Sequence, residues 1–365
     1  MKKFAFFLPQ FHEIQENNEW WGEGFTEWTN VRKAVPLYEG HVQPKHPLNN
    51  NYYDLLDRKT VEWQTDLMHT YHVDGLIYYH YYFKGKKLLE KPAENLLRWT
   101  DIDQPFFFCW ANHSWFRSSQ GSKQLLIEQK YGDEKDWEEH FNYLLPFFKD
   151  PRYEKKDNKP LFLIFWSDFA EKKQIFSYFE KRCRENGFNG IYLIETFMFG
   201  REWPEDLYEF KANVATQTER ILLREPTVSE KIYKKGLKDT FCNWQKKENS
   251  ENIKENRECF ADIIDSDVLY DVIDRIEPKT SEYIHTIFFG WDNTPRHGPW
   301  GRVKTPPSKA CFMQAMDALK NDEYVFINAW NEWAEGMMLE PTEENGYKYL
   351  EWIREWKEKN EYKDS

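Results

Sequence analysis

The sequence predicts an α/β fold, namely a (β/α)8 TIM barrel with long insertions after strand 1 and between strands 6 and 7. Two observations predict it. Eight short apolar runs, rich in aromatic and β-branched residues, recur along the 365 residues, and such runs are typical of strands buried on both faces of a parallel sheet. Amphipathic stretches of helical period lie between several of them, and this alternation is the pattern of a barrel built from βα units.

The predicted strands share a continuous apolar run. They span residues 4–9, 74–83, 105–112, 160–166, 190–197, 212–217, 283–292 and 324–330. Helical periodicity is found in residues 54–71, 133–148, 170–186 and 308–321. A doubly wound sheet is the main alternative, but no GxGxxG turn follows the first apolar run, which disfavours a dinucleotide-binding fold.

Two insertions interrupt the βα pattern. Residues 10–51 separate the first strand from its helix, and residues 219–281 are highly charged. We expect the second insertion to form an exposed helical excursion, with a disordered lid as the alternative. Because no linker divides the chain, the sequence predicts a single catalytic domain over residues 1–365.

The composition limits the possible partners. A net charge of -12 disfavours binding to nucleic acid or anionic lipid. No stretch reaches the roughly 20 apolar residues of a membrane span, and the apolar part of the N-terminus is too short for a signal peptide. Five cysteines without a CxxC or Cys/His zinc pattern indicate a reduced protein. We therefore expect a cytoplasmic protein without a metal or other cofactor, and the sequence leaves its oligomeric state open.

Polar and ring-bearing side chains recur where the predicted strands end. In a barrel of this type the chemistry lies at the C-terminal ends of the strands, so the recurrence favours one polar, aromatic cleft. The aromatic share of 18% agrees with such a cleft. The residues expected to contact a substrate are Gln10, His12, Trp28, His80, Tyr82, Trp110, Asn112, His113, Trp115, Arg117, Glu195, Trp291, Asp292, Arg296, Asn331 and Trp333.

Each of these residues also has a structural interpretation. A single His or Tyr at a strand end is more often a core residue with satisfied hydrogen bonds than a catalyst. Asp292 fits the cap of a turn equally well, and the tryptophans can simply fill the core.

Two glutamates, Glu332 and Glu335, follow the last apolar run and are the predicted catalytic pair. Acids that end a buried strand are costly to bury unless they are paired or used. If the chain turns helical after Trp330, residues i and i+3 face the same way, and the neighbouring charge raises one pKa. A carboxylic acid that is protonated near neutral pH can act as a general acid, and paired carboxylates cleave glycosidic bonds. The alternative is one exposed and one structural glutamate.

Four motifs in order along nearly the whole chain resemble those of the WbsX family, whose members are encoded among genes for polysaccharide (O-antigen and capsule) biosynthesis. They are FLPQFHEIQENNEWWGEGFTEWTNV (7–31), CWANHSW (109–115), GWDNTPR (290–296) and NAWNEWAEG (328–336). The Asn-Glu-Trp-x-Glu-Gly segment of the last motif is in turn similar to glycoside hydrolase family 99, the endo-α-mannosidases, which are (β/α)8 barrels.

The resemblance implies cleavage or transfer of an α-linkage with retention and without a metal. In family 99 the first Glu of the segment removes the proton from the 2-hydroxyl of the sugar, and this oxygen attacks the anomeric carbon to form a 1,2-anhydro sugar. That role falls to Glu332. The second Glu protonates the leaving group and then activates water, and this role falls to Glu335.

The chain departs from the family pattern at four positions, while both acids are retained. Relatives often have Glu-Asn after CWAN, Gly before the second Glu and a second Arg after WDNTPR. This chain has His113 and Ser114, Ala334 and His297 at these places. Because the loops after strands 3 and 7 would line the pocket, we expect the differences to affect which sugar is bound.

Two other functions are compatible with parts of the sequence. A nucleotide-sugar-dependent glycosyltransferase often uses an Asp-x-Asp metal motif, and residues 101–103 and 265–267 have this pattern, although the first precedes a strand and the second lies in the charged insertion. A barrel that transfers a glycan to another sugar would use the same two acids. A non-catalytic carbohydrate-binding barrel would keep the aromatic cleft but would not need both acids.

Overall fold

The computed structural model describes residues 1–119, 122–166, 168–198, 213–217, 262–270, 283–298 and 301–364. Within these ranges the strands, in chain order, are β1 Lys2–Phe7, β2 Gly75–Phe83, β3 Lys86–Leu88, β4 Phe106–Trp110, β5 Trp115–Ser119, β6 Ser122–Ile127, β7 Lys155–Lys156, β8 Lys159–Ile164, β9 Tyr192–Met198, β10 Asn213–Gln217, β11 Asp262–Ile264, β12 Tyr283–Phe288, β13 Trp291–Asp292, β14 Arg302–Lys304, β15 Tyr324–Asn328, β16 Asn331–Glu332 and β17 Met337–Met338.

The first two helices lie in the first insertion, and the others lie between or after the strands. They are α1 Gln15–Trp21, α2 Glu27–Lys33, α3 Arg58–Thr70, α4 Lys91–Arg98, α5 Glu134–Lys149, α6 Lys172–Glu185, α7 Thr294–His297, α8 Lys309–Ala318 and α9 Lys348–Asp364. Two 3₁₀ turns, Leu48–Asn50 and Trp333–Glu335, complete the described elements.

A mostly parallel central sheet organises the fold. Its strand order is β1-β15-β12-β10-β9-β8-β4-β2, all in parallel pairs, and β1 also pairs with β2. The short strands β3 and β7 add antiparallel pairs to β2 and β8. The C-terminal ends of the parallel strands therefore lie at one edge of the sheet.

All eight predicted strands are present, and the four predicted helices correspond to α3, α5, α6 and α8. Residues 10–51 carry α1, α2 and the first 3₁₀ turn. Of the second predicted insertion, residues 219–261 and 271–281 lie outside the described residues, and residues 266–270 are helical. Inside it, β11 pairs in parallel with β14.

Side-chain caps start α5 and α8. Asp133 accepts hydrogen bonds from the backbone N–H groups of Lys135 and Asp136 at the start of α5, and Asp136 bonds back to the N–H of Asp133. Ser308 caps α8 through the N–H of Cys311. These bonds satisfy N–H groups that the first helical turn leaves without a partner.

One face of the sheet holds a cluster of phenylalanines near the strand beginnings. The ring centroid of Phe107 lies 5.1 Å from that of Phe4 and 5.8 Å from that of Phe326, although β4 and β15 are not neighbours in the sheet. Further along, Phe6 stacks on Tyr79 at 5.7 Å. Gly75 is required at the start of β2, because a Cβ there would lie 2.2 Å from the Phe4 ring.

The opposite face of β2 packs against α5. Because side chains alternate along a strand, His80 and Tyr82 point to this face while Tyr79 points to the phenylalanine cluster. The Nε2 atom of His80 lies 2.8 Å from that of His140 in α5. The Tyr82 ring is stacked on the His140 ring at 3.9 Å.

This buried histidine pair predicts that acid destabilises the fold. Burial, followed by the charge of Lys87, lowers the pKa of His80 to about 3, and burial followed by His80 lowers the pKa of His140. The unfolded chain takes up these protons near pH 6.5, so this stability is present above pH 6.5 and is lost as the pH falls towards 3. Between pH 7.5 and 5.0, protonation of His80 in the unfolded chain should by itself lower the free energy of unfolding by about 2 kcal/mol.

Urea unfolding at pH 7.5 and 5.0 measures this loss. On acidification the free energy of unfolding should fall less in the double variant His80→Phe, His140→Phe than in the wild type. The difference should be at least about 2 kcal/mol. His69→Gln, which changes an exposed histidine, should match the wild type. An equal acid loss in the double variant and the wild type would contradict the prediction.

Among the described residues, no helix combines the length and apolar character that crossing a bilayer requires.

Candidate active site

The two predicted catalytic acids lie on a short turn after β15. Glu332 ends β16, which pairs antiparallel with β17, and the 3₁₀ turn Trp333–Glu335 connects the two strands. Both glutamates contact Arg296, so their carboxylates lie on the same side of the turn. Gly336 ends the turn at φ 55°, and a Cβ there would lie 2.9 Å from the Cβ of Asp292.

Glu332 is the more buried of the two acids. It is 7% exposed, and its Oε2 atom accepts no hydrogen bond from the described residues. Burial, followed by the nearby charge of Glu335, raises the pKa of Glu332 well above its usual value, although Arg296 opposes the shift. The direction agrees with the expectation from sequence. The shift means that the carboxylate of Glu332 binds a proton more strongly than an exposed glutamate does, which makes it a stronger base.

Glu335 is held by two donors. The indole Nε1 of Trp291 donates to its Oε2 atom at 2.8 Å, and Arg296 donates from Nη1 to its Oε1 atom at 2.7 Å. Its side chain is 24% exposed against 9% for that of Glu332. Both donors follow β12, so the loop after the seventh parallel strand orients the acid carried by the eighth.

Arg296 joins the two acids to a third carboxylate. Its Nη2 atom lies 3.5 Å from Oε2 of Glu332 and also bonds Glu27, the first residue of α2. Glu27 is 1% exposed. The sequence interpretation missed Glu27, although it stands inside the first family motif between Thr26 and Trp28. Three carboxylates therefore surround one guanidinium.

Two tyrosines of β2 lie on the face that leads to the acids. Burial, followed by the charge of Glu332, raises the pKa of both Tyr79 and Tyr81 well above the usual value. Both hydroxyls therefore remain protonated at neutral pH and can donate hydrogen bonds. Trp115, a predicted substrate contact, packs edge-on against Tyr81 at 5.0 Å.

Two predicted substrate contacts of β2 lie on its other face. His80 and Tyr82 lie against α5, one residue out of phase with the tyrosines near Glu332. Trp110 lies on the same outer side, where its indole donates to the carbonyl of Tyr82 and its ring contacts His140 at 4.9 Å. An apolar strand buried on both faces gives no alternation from which the inward side chains can be read.

Three predicted polar residues hold loops together. Asp292 accepts hydrogen bonds from His41, Gln43 and Thr294, as the alternative of a turn cap anticipated. Its pKa is lowered because these bonds outweigh burial. Asn331 exchanges two hydrogen bonds with the backbone of Leu8.

Asn112 is also fully buried, and it bridges two strand ends. Its side chain exchanges hydrogen bonds with the backbone N–H and C=O of Trp166 at 2.7 Å each, and its Nδ2 atom reaches the Tyr131 hydroxyl. The loops after β4 and β8 are fixed to each other in this way. Asn331 and Asn112 therefore fix loop geometry, and their contact with substrate stays a prediction.

Two predicted tryptophans belong to the core. Trp28 is buried, and its indole donates to the carbonyl of Tyr53 at 2.8 Å. Trp333 is also buried, and its ring centroid lies 5.2 Å from that of Trp28. Its indole donates to Glu340 at 2.7 Å. The alternative that the tryptophans fill the core holds for both.

Each of the five remaining predicted residues has its own surroundings. Glu195 lies 3.3 Å from the Nζ atom of Lys172. Arg117 donates to the carbonyl of Trp20, and its guanidinium lies 5.0 Å from the ring of Trp21. The other three are Gln10, whose carbonyl accepts from the N–H of Glu27 at 2.9 Å, His12, which is buried, and His113, whose ring lies 5.3 Å from that of Phe165.

Within the described part of the chain, no group of three or more His, Cys, Asp and Glu side chains is placed to hold a metal ion. The geometry instead brings together two acids, an arginine, a third buried acid, an indole donor and two phenol donors. Such a set can exchange protons with a bound molecule and donate hydrogen bonds to its hydroxyl groups.

Solved structures of glycoside hydrolases resemble this fold. The endo-α-mannosidase of glycoside hydrolase family 99 from Bacteroides thetaiotaomicron superimposes with a TM-score of 0.53 over 100% of this chain and 98% of that chain, at 13% identity. A glycoside hydrolase-like protein gives a TM-score of 0.57 over 97% of this chain and 93% of that chain, at 14% identity. At these identities the likeness shows a shared fold.

Two curated relatives are longer proteins. The uncharacterized protein WxcX of Xanthomonas campestris pv. campestris strain B100 is 31% identical over 370 residues, and that of a second strain is 30% identical over 367 residues, each covering 96% of this chain. The matched region makes up 49% of each relative, so this chain spans about half their length. The family model described as glycosyltransferase WbsX matches residues 3–353, and the chain therefore belongs to the WbsX family.

Proposed function

We propose that the chain is a carbohydrate-active enzyme that cleaves or transfers an α-glycosidic linkage with retention, in a bacterial surface polysaccharide such as O-antigen or capsule. The observation that carries the proposal is the pair Glu332 and Glu335. They stand three residues apart on one turn, at the C-terminal edge of the parallel strands, and share Arg296. Chemistry at this edge is the rule in barrels of parallel strands.

We further propose that the central sheet is a (β/α)8 barrel. Two pairings of β1 support this proposal. β1 pairs with β15 and also with β2, so the first and last of the eight parallel strands in the sheet order are hydrogen-bonded to each other. The Phe107–Phe326 contact between non-neighbouring strands supports a closed interior.

In the proposed reaction Glu332 acts first as a base. Its carboxylate takes the proton of the sugar 2-hydroxyl, the 2-oxygen bonds to the anomeric carbon, and the bond to the leaving oxygen breaks. Glu335 gives its proton to that oxygen. In the second step Glu335 takes a proton from water or from an acceptor hydroxyl, whose oxygen attacks the anomeric carbon. The bond between that carbon and the 2-oxygen breaks, and Glu332 returns its proton to the 2-oxygen.

The raised pKa of Glu332 supports the role of base in one respect. A carboxylate whose pKa is raised binds a proton more strongly, so it removes a hydroxyl proton more readily than an exposed glutamate does. Tyr79 and Tyr81 would donate hydrogen bonds to oxygens that become negative during the reaction. The same shift would also suit an acid, so exchanged roles for the two glutamates are the alternative within this mechanism.

The charge of the site favours a glycan over a nucleotide sugar as the donor. Arg296 already contacts three carboxylates, and a diphosphate would be repelled by those acids. The Asp-x-Asp patterns have other partners. Asp101 pairs with Arg58, and Asp267 accepts the N–H of Ser308.

The experiment that tests the proposal is incubation of the protein with polysaccharide, or lipid-linked repeat units, of its own source, with and without nucleotide sugars. Mass spectrometry reads the products. We expect shortened or rearranged glycan without nucleotide sugar. Growth of the glycan only when a nucleotide sugar is supplied would establish the glycosyltransferase alternative, and tight binding without any product would establish a binding protein.

A further inference from the structure

Glu340 is a buried carboxylate that the proposed reaction does not use. It is 2% exposed and accepts three hydrogen bonds of 2.7 Å, from the hydroxyl of Tyr53, the indole of Trp333 and the amide of Gln64. A buried carboxylate is costly unless such donors compensate it. Its partners come from the segment that precedes α3, from α3 itself and from the turn of the two acids.

The three bonds reach both neighbours of Glu332 in the chain. Trp333 donates directly to Glu340. On the other side, Asn331 donates to the Tyr53 hydroxyl at 3.3 Å, and that hydroxyl donates to Glu340. The position of Glu332 is therefore fixed from both sides by one carboxylate.

We propose that Glu340 is the positioning residue of the catalytic turn, holding Asn331 and Trp333 so that Glu332 and Glu335 face the same bound sugar. Its effect on turnover rests on the proposed function, whereas its effect on the turn does not. A displacement of reacting groups by about 1 Å can cost about 100-fold in rate, so the loss of this anchor should lower kcat more than it changes KM.

The ionised form is the one that fits the contacts. The indole of Trp333 and the amide nitrogen of Gln64 can only donate, so a proton on Glu340 would remove an acceptor from the network. Burial raises the pKa of Glu340 to about 7 against the opposing hydrogen bonds. Tyr53 is the one titratable group among its three hydrogen-bond donors, and burial keeps Tyr53 protonated by raising its pKa. The anchor should therefore weaken as the pH falls below about 7.

Fluorine NMR of the 5-fluorotryptophan-labelled protein tests this without a substrate. Trp333→Phe and Trp291→Phe assign the two signals of interest. We expect the Trp333 signal of the wild type to shift between pH 5.5 and 8.5 with a midpoint near 7, and to lose that midpoint in Glu340→Gln. The Trp291 signal reports on Glu335, to which its indole donates, and should also shift in Glu340→Gln.

Glu154→Gln is the matched control. Glu154 is also buried and accepts hydrogen bonds from Tyr324 and Lys2, but it lies by the beginnings of β1 and β15. This variant should leave both tryptophan signals in place. If Glu340→Gln does not fold, Tyr53→Phe removes one donor and should shift the same signals by less.

The outcomes separate this proposal from the proposed function. Unchanged signals and an unchanged pH dependence in folded Glu340→Gln would overturn the positioning role. If the wild type converts glycan, Glu340→Gln should lower kcat by about tenfold or more while KM changes by less than about threefold. If the wild type converts none, the proposed function fails, and the NMR titration still decides whether Glu340 holds the turn.

Discussion

Glu332→Gln and Glu335→Gln are each expected to convert glycan about 100- to 10,000-fold more slowly than the wild type. Proton transfer by a positioned carboxylate contributes rate factors of about this size, and an amide can neither remove nor supply the proton. Initial rates of product formation, read by mass spectrometry on the glycan that the wild type converts, measure the loss.

Because Glu332 and Glu335 share Arg296, the losses of activity in the two variants should not add. Groups that act as a unit lose activity together, so the double variant should be about as slow as the slower single variant. Glu154→Gln, which removes a buried carboxylate away from the turn, should retain the wild-type rate. A folded Glu332→Gln or Glu335→Gln within about threefold of the wild type would remove that residue from the mechanism.

Arg296→Met is expected to lower the unfolding free energy by about 2–3 kcal/mol at pH 8. Removing one partner of a buried ion pair costs about 3–5 kcal/mol, and the value is smaller here because the Arg296 side chain is 32% exposed. The variant leaves Glu27, Glu332 and Glu335 close together without their guanidinium. The loss should shrink at pH 5, because protonation removes the repulsion between the carboxylates.

Arg58→Met is the control for this prediction. Arg58 also bonds two carboxylates, but Asp101 is 69% exposed and Glu62 is 45% exposed. Exposed pairs contribute little to stability because water screens them, so urea unfolding should show a much smaller loss for Arg58→Met than for Arg296→Met. Equal losses for the two variants at pH 8 would mean that the cluster around Arg296 is not held by its charge.

Most of the eight parallel strands could be predicted because they are apolar runs bounded by polar residues, and β10 (NVATQ) is the exception. The same property hid the orientation of their side chains. In β2, polar and aromatic residues occur in both phases, so sequence alone could not separate Tyr79 and Tyr81 from His80 and Tyr82. The choice depends on the contact between His80 and His140, which comes from packing of α5 on the sheet.

The pair Glu332 and Glu335 could be predicted because both acids lie within one turn. Glu27 could not be assigned in the same way, since its partner Arg296 is 269 residues away. Glu340 is similar, because Tyr53 and Gln64 are more than 270 residues from it. Pairing over such separations is created by the return of the last strand beside the first, which the hydrophobic pattern does not encode.

The measurement that tests the central claim most directly is the anomeric configuration of the product first released by the wild type, followed by proton NMR from the start of the reaction. Attack by the 2-oxygen followed by water or an acceptor inverts the anomeric carbon twice. We therefore expect an α-linked substrate to give the α-anomer first, or a new α-linkage. Initial release of the β-anomer would show a single displacement and would contradict the paired roles of Glu332 and Glu335.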